Sequence, residues 1–221
     1  MARVFIIGDI HGCCKTFKKL VLEKINIQKC DKIYCLGDYI DRGPDSKGVI
    51  DFIIKMRKKG YNIHTLRGNH EEILLNSLND EESFLHWTKS GGDKALSSFK
   101  IDSIKKLKPV YINFIKRTKF YIKTKDFILV HAGLNFTIKE PLTDKHEMLW
   151  IRDFTVDNNY LKGRILIHGH TPIKVEQLIS QKFESPINLD GGCFLKDIDG
   201  YGNLFALNFY ERKLIEVKNI D

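Results

Sequence analysis

Five short segments of the sequence place Asp, Asn or His beside glycine. They are Gly8-Asp9-Ile10-His11-Gly12, Gly37-Asp38-Tyr39-Ile40-Asp41-Arg42-Gly43, Gly68-Asn69-His70-Glu71, His131-Ala132-Gly133 and His168-Gly169-His170-Thr171. Carboxylate, amide and imidazole groups are ligands for divalent ions such as Mn²⁺, Fe²⁺ and Zn²⁺. Glycine lets the backbone turn sharply and approach a ligand closely. These segments therefore predict a metal centre, provided that the fold brings them together.

The number of candidate ligands indicates two ions rather than one. Six side chains carry suitable donors, namely Asp9, His11, Asp38, Asn69, His131 and His170. Paired ions in enzymes lie roughly 3.5–4 Å apart and clamp an in-line displacement at phosphorus. The sequence has no cysteine cluster typical of a structural zinc site, and residues 8–12 do not form the GxGxxG dinucleotide motif. The residues therefore favour phosphoryl chemistry at a metal pair.

Each segment also has a simpler interpretation when taken alone. Asp9 and Asp38 could be helix N-caps or turn residues, and Asn69 could belong to an ordinary turn. His131 and His170 could be hydrogen-bonded histidines of the core. Taken together, these interpretations would require five independent coincidences at strand ends, so the metal centre is the better hypothesis.

Apolar runs precede the five segments and predict the strands that position them. Val4-Phe5-Ile6-Ile7, Lys32 to Leu36 and Tyr61 to Leu66 alternate with residues at helical spacing, which predicts a βαβαβα order and a mostly parallel sheet. Phe127 to Val130 and Arg164 to Ile167 precede the two later histidine segments. Because the carboxyl ends of strands in α/β sheets meet at one crevice, we expect the polar groups to converge there.

The rest of the chain predicts helices followed by antiparallel strands. Residues 80–120 have a helical pattern that Gly91-Gly92 interrupts, and Pro109 suits the first residue of a helix. Residues 187–189, 204–209 and 213–217 predict antiparallel strands. No linker composition divides the sequence, so we predict an α/β fold with one domain over residues 1–221.

Composition and charge restrict the classes of function. The chain has 36 Lys and Arg against 28 Asp and Glu, and its net charge of +8 suits an anionic substrate as well as an ordinary lysine-rich surface. The basic residues are dispersed, which argues against nucleic acid as a partner. Five cysteines without a CxxC pair predict a reducing compartment. We expect a cytoplasmic protein, since no signal peptide and no membrane-length apolar run is found.

The motif set GDIHG, GDYIDRG, GNHE, HAG and GHT, in this order, resembles the phosphoprotein phosphatase branch of the calcineurin-like metallophosphoesterases. Within that branch the sequence particularly resembles the small bacterial and phage lambda serine/threonine protein phosphatases, and the likeness covers essentially the whole chain. The resemblance implies a sandwich of two mixed β-sheets flanked by helices, in the layer order α/β/β/α. It also implies two divalent ions, with Mn²⁺ as the first choice and Fe or Zn as alternatives.

The resemblance assigns a role to each site residue. The first ion would be held by Asp9, His11 and Asp38, and the second by Asp38, Asn69, His131 and His170. His70 would protonate the leaving oxygen, oriented by Asp41, while Arg42 and Arg152 would hold the phosphate oxygens. A bound hydroxide would attack phosphorus in line, without a covalent enzyme intermediate. Because the tail after Cys193 is short, neither a regulatory subunit nor an active-site tyrosine is implied.

The same resemblance ranks the substrates. Nucleases and phosphodiesterases of the wider superfamily usually end in GHxH, whereas Pro172 follows Thr171 here. Symmetrical diadenosine tetraphosphate hydrolases tend to replace the DRG aspartate and to read GNHD, so Asp41 and Glu71 favour a protein phosphatase acting on a phosphoprotein. A catalytically inactive binding module is disfavoured because His70 and all six ligands are present.

Three aromatic residues and His168 each have both a structural and a functional interpretation. Phe84, Trp87 and Phe99 could line a pocket for an adenine ring, but their helical spacing favours the core. His168 precedes His170 by two residues and would face the same side of a strand, so it could lie beside the metal centre or in the core.

Overall fold

The computed structural model describes residues 2–221, and its first third alternates strands and helices as predicted. The elements are β1 (Val4–Ile7), α1 (Cys14–Lys19), β2 (Lys32–Cys35), α2 (Ser46–Lys58), β3 (Asn62–Thr65) and α3 (Asn69–Ser77). Asp45 caps α2 by accepting a hydrogen bond from Gly48 N at 2.8 Å. Gly60 then leaves the helix with a φ of +86°, which a residue with a side chain rarely adopts.

The later part of the chain adds short helices and six strands. They are α4 (Glu81–Trp87), α5 (Asp93–Phe99), α6 (Pro109–Lys116), β4 (Tyr121–Lys123), β5 (Phe127–Val130), α7 (Glu147–Trp150), α8 (Asn158–Leu161), β6 (Ile165–His168), α9 (Val175–Ser180), β7 (Ile187–Asn188), β8 (Asn203–Asn208) and β9 (Lys213–Lys218). Pro109 begins α6, and Gly91, with a φ of +108°, breaks the helical region between α4 and α5. Both features were predicted from the sequence.

The strands form two mixed sheets that pack face to face. One sheet has the order β3-β2-β1-β8-β9 and the other β4-β5-β6-β7. Apolar side chains from both sheets share one buried cluster, which includes Ile6, Leu36, Leu129, Ile167 and Leu207. The outer faces are covered by helices: α1 and α2 lie on the first sheet, and α7 and α8 on the second. The predicted α/β/β/α sandwich is confirmed.

The direction of β7 corrects the sequence analysis. Residues 187–189 were expected to be antiparallel, but β7 pairs in parallel with β6, with Ile167 opposite Ile187. The reason is α9, which the sequence analysis missed and which carries the chain back so that β7 can run in the same direction. The hairpin of β8 and β9 is antiparallel, as predicted.

The structure also bears on the membrane and cysteine observations. None of the helices in residues 2–221 is long and apolar enough to cross a membrane. All five cysteines are free thiols, and only Cys30 is exposed.

Candidate metal centre

The five predicted segments meet where the carboxyl ends of strands from both sheets adjoin. Asp38 Oδ2 lies 3.2 Å from His11 Nε2 and 3.5 Å from His131 Nε2. Asn69 Oδ1 lies 2.9 Å from His131 Nε2 and 3.1 Å from His170 Nδ1. Asp38 follows β2 and Asn69 begins α3, whereas the last two histidines follow β5 and β6 of the other sheet. The site is therefore built by both layers of the sandwich.

We call the six predicted ligands the donor cluster: Asp9, His11, Asp38, Asn69, His131 and His170. Each of them is at most 8% exposed. Backbone carbonyls hold two of the imidazoles in one tautomer, since Ile40 O lies 3.0 Å from His11 Nδ1 and Leu36 O lies 3.1 Å from His131 Nδ1. A carbonyl can only accept a hydrogen bond, so Nδ1 carries the proton, and the neutral form of each ring presents an unprotonated Nε2 to the centre.

The donor cluster fits two divalent cations. Two groups of ligand atoms share Asp38, and within each group all atoms lie within 4.8 Å of one another. One group also contains His11 and His70, and the other contains His131 and His170. Asp9 Oδ1 is buried without a hydrogen-bond partner in residues 2–221. Buried polar atoms without partners are costly, and cations would satisfy them. Asp9, whose Oδ2 accepts a hydrogen bond from His170 N at 3.0 Å, lies outside both groups, so its place at the first ion stays a prediction.

The pKa shifts in the donor cluster favour the binding of positive charge. Burial alone would raise the pKa of Asp38, but the neighbouring imidazoles of His131, His70 and His11 hold that pKa well below its usual range. Burial lowers the pKa of His170 to about 3 and also lowers the pKa of His131. Both rings are thus neutral near pH 7 and can bind a cation without releasing a proton. Burial, with Asp190 and Asp38 nearby, raises the pKa of Asp9.

The backbone of the centre is strained. Five of its residues have left-handed conformations that are uncommon without glycine: His11, Asp38, Asp41, Arg42 and His170, with φ between +42° and +71°. Such conformations cost on the order of 1–3 kcal/mol each and persist only where surrounding contacts impose them. Two glycines allow the backbone to pack closely against ligating histidines. A Cβ on Gly43 would lie 2.0 Å from His11 O, and one on Gly37 would lie 2.9 Å from His131 Nδ1.

Glu71 supplies contacts that hold these loops. Its buried carboxylate accepts hydrogen bonds from Asp38 N and Tyr39 N, both at 2.8 Å, and from Gly68 N at 2.9 Å. The sequence analysis used Glu71 only to rank substrates. Its three amide contacts join the loop after β2 to the start of α3, so it positions two members of the donor cluster.

His70 and Asp41 form a buried pair. His70 Nδ1 lies 2.7 Å from Asp41 Oδ2, which also accepts a hydrogen bond from Trp87 Nε1 at 2.9 Å. Burial lowers the pKa of His70 and raises the pKa of Asp41. His70 Nε2 makes no hydrogen bond within the described chain and is free to exchange a proton with a substrate. Trp87 was expected in the core; it is buried there, but its indole N–H also orients Asp41.

Two exposed arginines, which we call the rim, border the donor cluster. The Arg42 guanidinium carbon lies 4.5 Å from the centre of the Phe194 ring, and Arg152 Nη1 donates a long hydrogen bond of 3.4 Å to Thr171 Oγ1. Besides burial, the charge of Arg152 lowers the pKa of His170, and that of Arg42 lowers the pKa of His70. Both predicted arginines therefore border the donor cluster, and their contact with a phosphate stays a prediction.

A groove of about 880 Å³ extends from Arg152 along the second sheet, and we call it the Arg152 groove. Its walls include Phe136, Phe154 and His168. The His168 ring lies 5.4 Å from that of Phe154, and its Nδ1 lies 3.1 Å from Gly169 O. His168 thus supports the groove wall and the end of β6 rather than joining the donor cluster.

Two aromatic residues that the sequence analysis did not assign also border the centre. The Phe194 ring lies 4.8 Å from His11, and the Trp150 ring lies 6.4 Å from His170, both edge to face. Trp150 lies two residues before Arg152 in the chain, and Phe194 follows Gly192-Cys193 in the tail. No short-range pattern marks either one, because each reaches the centre through the path of the folded chain.

Known proteins are similar to this chain in sequence and in architecture. A family model described as calcineurin-like phosphoesterase matches residues 2–202. Serine/threonine-protein phosphatase 1 of Salmonella typhimurium is 26% identical over 182 residues, which is 77% of this chain and 79% of that protein. A symmetrical bis(5'-nucleosyl)-tetraphosphatase of Wigglesworthia glossinidia brevipalpis is 47% identical over 72 residues, 32% of this chain, and the match spans a quarter of that relative.

A solved structure supports the same fold. The crystal structure of a putative diadenosine tetraphosphatase superposes with a TM-score of 0.69 at 22% identity, covering 100% of this chain and 95% of that one. Similarity at this level of identity concerns the arrangement of the two sheets and their helices.

Proposed function

Since the chain belongs to the calcineurin-like phosphoesterases, metal-dependent hydrolases of phosphate esters, we propose that it is a serine/threonine protein phosphatase. The observation that carries this proposal is the buried pair of His70 and Asp41, 2.7 Å apart, at the edge of the donor cluster. A serine or threonine alkoxide is strongly basic and leaves only if a proton is delivered to it. A leaving nucleotide phosphate needs much less protonation. A positioned proton donor therefore favours alkyl monoesters.

The arginines, His70 and Asp41 have separate roles in the proposed reaction. When bound, two divalent cations would acidify a water to hydroxide near neutral pH and offset charge at phosphorus. Arg42 and Arg152 bind the phosphate oxygens, for which forked guanidinium groups are well suited. His70 protonates the leaving oxygen through Nε2. Asp41, held by Trp87, keeps the proton on Nδ1 and orients the ring.

We propose Mn²⁺ as the resident metal, with Fe or Zn as alternatives, because the donors are carboxylate, amide and imidazole without thiolate. We also propose that the protein works in the cytoplasm on a phosphoprotein. The five free thiols support a reducing compartment.

Hydrolysis of dinucleoside tetraphosphates is the second candidate, and the Arg152 groove is the observation that favours it. Aromatic walls beside a phosphate-binding arginine could seat an adenine ring. Two similar proteins carry the corresponding names. In segment 83–99, Trp87 is fully buried and Phe99 packs against the core, whereas Phe84 packs against the core and also lines a separate cavity with Asp80 and Ile104.

Competition between substrates tests the proposal. We expect kcat/KM with Mn²⁺ to be higher for phosphoserine and phosphothreonine peptides than for diadenosine tetraphosphate, with phosphotyrosine peptides measured alongside. All rates should be compared at one ionic strength, because the net charge of +8 makes association with anions depend on salt. Asp38→Asn protein purified in parallel controls for contaminating phosphatases. A preference of about tenfold or more for the dinucleotide would establish the second candidate instead.

A further inference from the structure

The segment after β7 lies against the side of the donor cluster that contains Asp9 and His11. The backbones touch there, since a Cβ on Gly8 would lie 2.1 Å from Leu189 O. Asp9 and Asp190 follow these two contacting residues and so extend from adjoining points of the two sheets. Phe194 completes the contact by packing edge to face on His11 at 4.8 Å.

Asp190 is held rigidly but only half satisfied. It is 1% exposed, its backbone N–H donates to Asn188 Oδ1 at 2.9 Å, and its backbone oxygen accepts from Ile173 N at 3.0 Å. Its Oδ1 accepts a hydrogen bond from Gly192 N at 2.9 Å. Its Oδ2 is buried and has no hydrogen-bond partner in residues 2–221, like Oδ1 of Asp9. Two unpaired carboxylate oxygens thus come from adjoining backbones.

The local turn does not explain the negative charge. A side-chain oxygen that accepts from the amide two residues later is an Asx turn, which asparagine forms as readily as aspartate. Neither Asp9 nor Asp190 forms an ion pair with lysine or arginine in the described part of the chain. Two neighbouring buried carboxylates are unfavourable unless one is protonated or a cation compensates their charge. A cation beside Asp9 would compensate both.

We propose that Asp190 adds its Oδ2 to the donors around the first cation, on the side of Asp9 and His11. This inference rests on the metal pair of the proposed function and extends the donor cluster to a seventh residue. In the metal-free protein the charge of Asp190 opposes that of Asp9. With the cation present, the same charge strengthens binding.

Asp190→Asn tests this role because asparagine preserves the turn and the shape while removing the charge. Calorimetric titration of the metal-free protein with Mn²⁺ should resolve two sites, with the first weakened about 10- to 100-fold by the substitution. The weakened site should be the one that Asp9→Asn also weakens. The melting temperature of the metal-free variant should equal or exceed that of the wild type, while its increase on adding Mn²⁺ should be smaller.

Asp197→Asn is the matched control, since Asp197 is exposed in the same loop and the substitution removes the same charge. It should leave both Mn²⁺ sites unchanged. If Asp190→Asn fails to fold, Asp190→Ser can still form the turn and should give the same loss of affinity. Wild-type affinity in a folded variant, with a lower melting temperature in the metal-free and Mn²⁺ forms alike, would overturn the inference by making Asp190 structural.

If the proposed function itself were wrong, the Mn²⁺ titration would give a different result. Wild-type protein that binds no pair of Mn²⁺ ions would contradict the metal centre itself. Two ions in the wild type, with the same two affinities in Asp190→Asn, would contradict only the role of Asp190.

Discussion

The donor cluster and the rim lie side by side but are built in opposite ways. Every member of the donor cluster is at most 8% exposed, and its loops are held by backbone hydrogen bonds and by Glu71. The rim arginines are exposed, and within residues 2–221 the Arg152 side chain makes a single hydrogen bond, a long one to Thr171. A buried array determines which reaction is possible, because electrostatic interactions are strong where water is excluded. An exposed rim can move toward substrates of different size and so bears on substrate choice.

Left-handed backbone is found in the donor cluster and also at one residue of the rim. Left-handed residues occur in the loops that supply the donor cluster and Asp41, where Glu71 and close glycine contacts enforce them. Arg42 belongs to both regions, since its backbone is strained while its side chain is exposed. Its N–H donates to Gly91 O at 3.2 Å, which ties the rim to the break between α4 and α5.

Removal of the shared ligand should have the largest effect. Asp38 is the only donor common to both groups of ligand atoms, so Asp38→Asn should weaken both metal sites and abolish turnover. The fold should persist, which circular dichroism can verify, because the isosteric amide leaves packing unchanged. Metal content and kcat are the measurements. A variant that retains two ions with near-native activity would remove Asp38 from its bridging position.

Replacement of the proton donor should have the next largest effect and should depend on the leaving group. His70→Asn is expected to lower kcat about 10²–10⁴-fold on alkyl phosphates. The loss should shrink on activated aryl phosphates, whose leaving oxygens need less protonation, and metal content should not change. Asp41→Asn should reproduce the pattern more mildly. An equal loss on both classes of ester would show that His70 acts in another way.

Truncation of the rim should have the smallest effect and should leave the donor cluster intact. Arg152→Ala is expected to reduce kcat/KM about 10- to 100-fold through lost hydrogen bonds to the phosphate charge, with Mn²⁺ affinity unchanged. Arg152→Lys should recover only part of the loss, because lysine cannot form the forked contact. Loss of Mn²⁺ binding in Arg152→Ala would show that the two regions are not separable.

The sequence alone predicted much of the donor cluster and the strands that position it. Apolar runs ahead of each motif located β1, β2, β3, β5 and β6, and the motif residues at their ends do converge across the two sheets. The roles of the individual residues stay predictions until the variants are measured. This part was predictable because strand periodicity, turn glycines and ligand types are local properties of the chain.

Tertiary structure decided the contacts between residues far apart in the chain. The parallel direction of β7 depends on α9, and the Trp87 hydrogen bond to Asp41 joins positions 46 residues apart. The unpaired oxygen of Asp190 beside Asp9 likewise exists only once the two sheets meet. Spacing in a sequence specifies which residue types follow a strand, whereas the partner of a buried polar atom depends on how separate elements pack. The motifs therefore indicated the types of ligand, and the residues that contact them from distant parts of the chain were visible only in the fold.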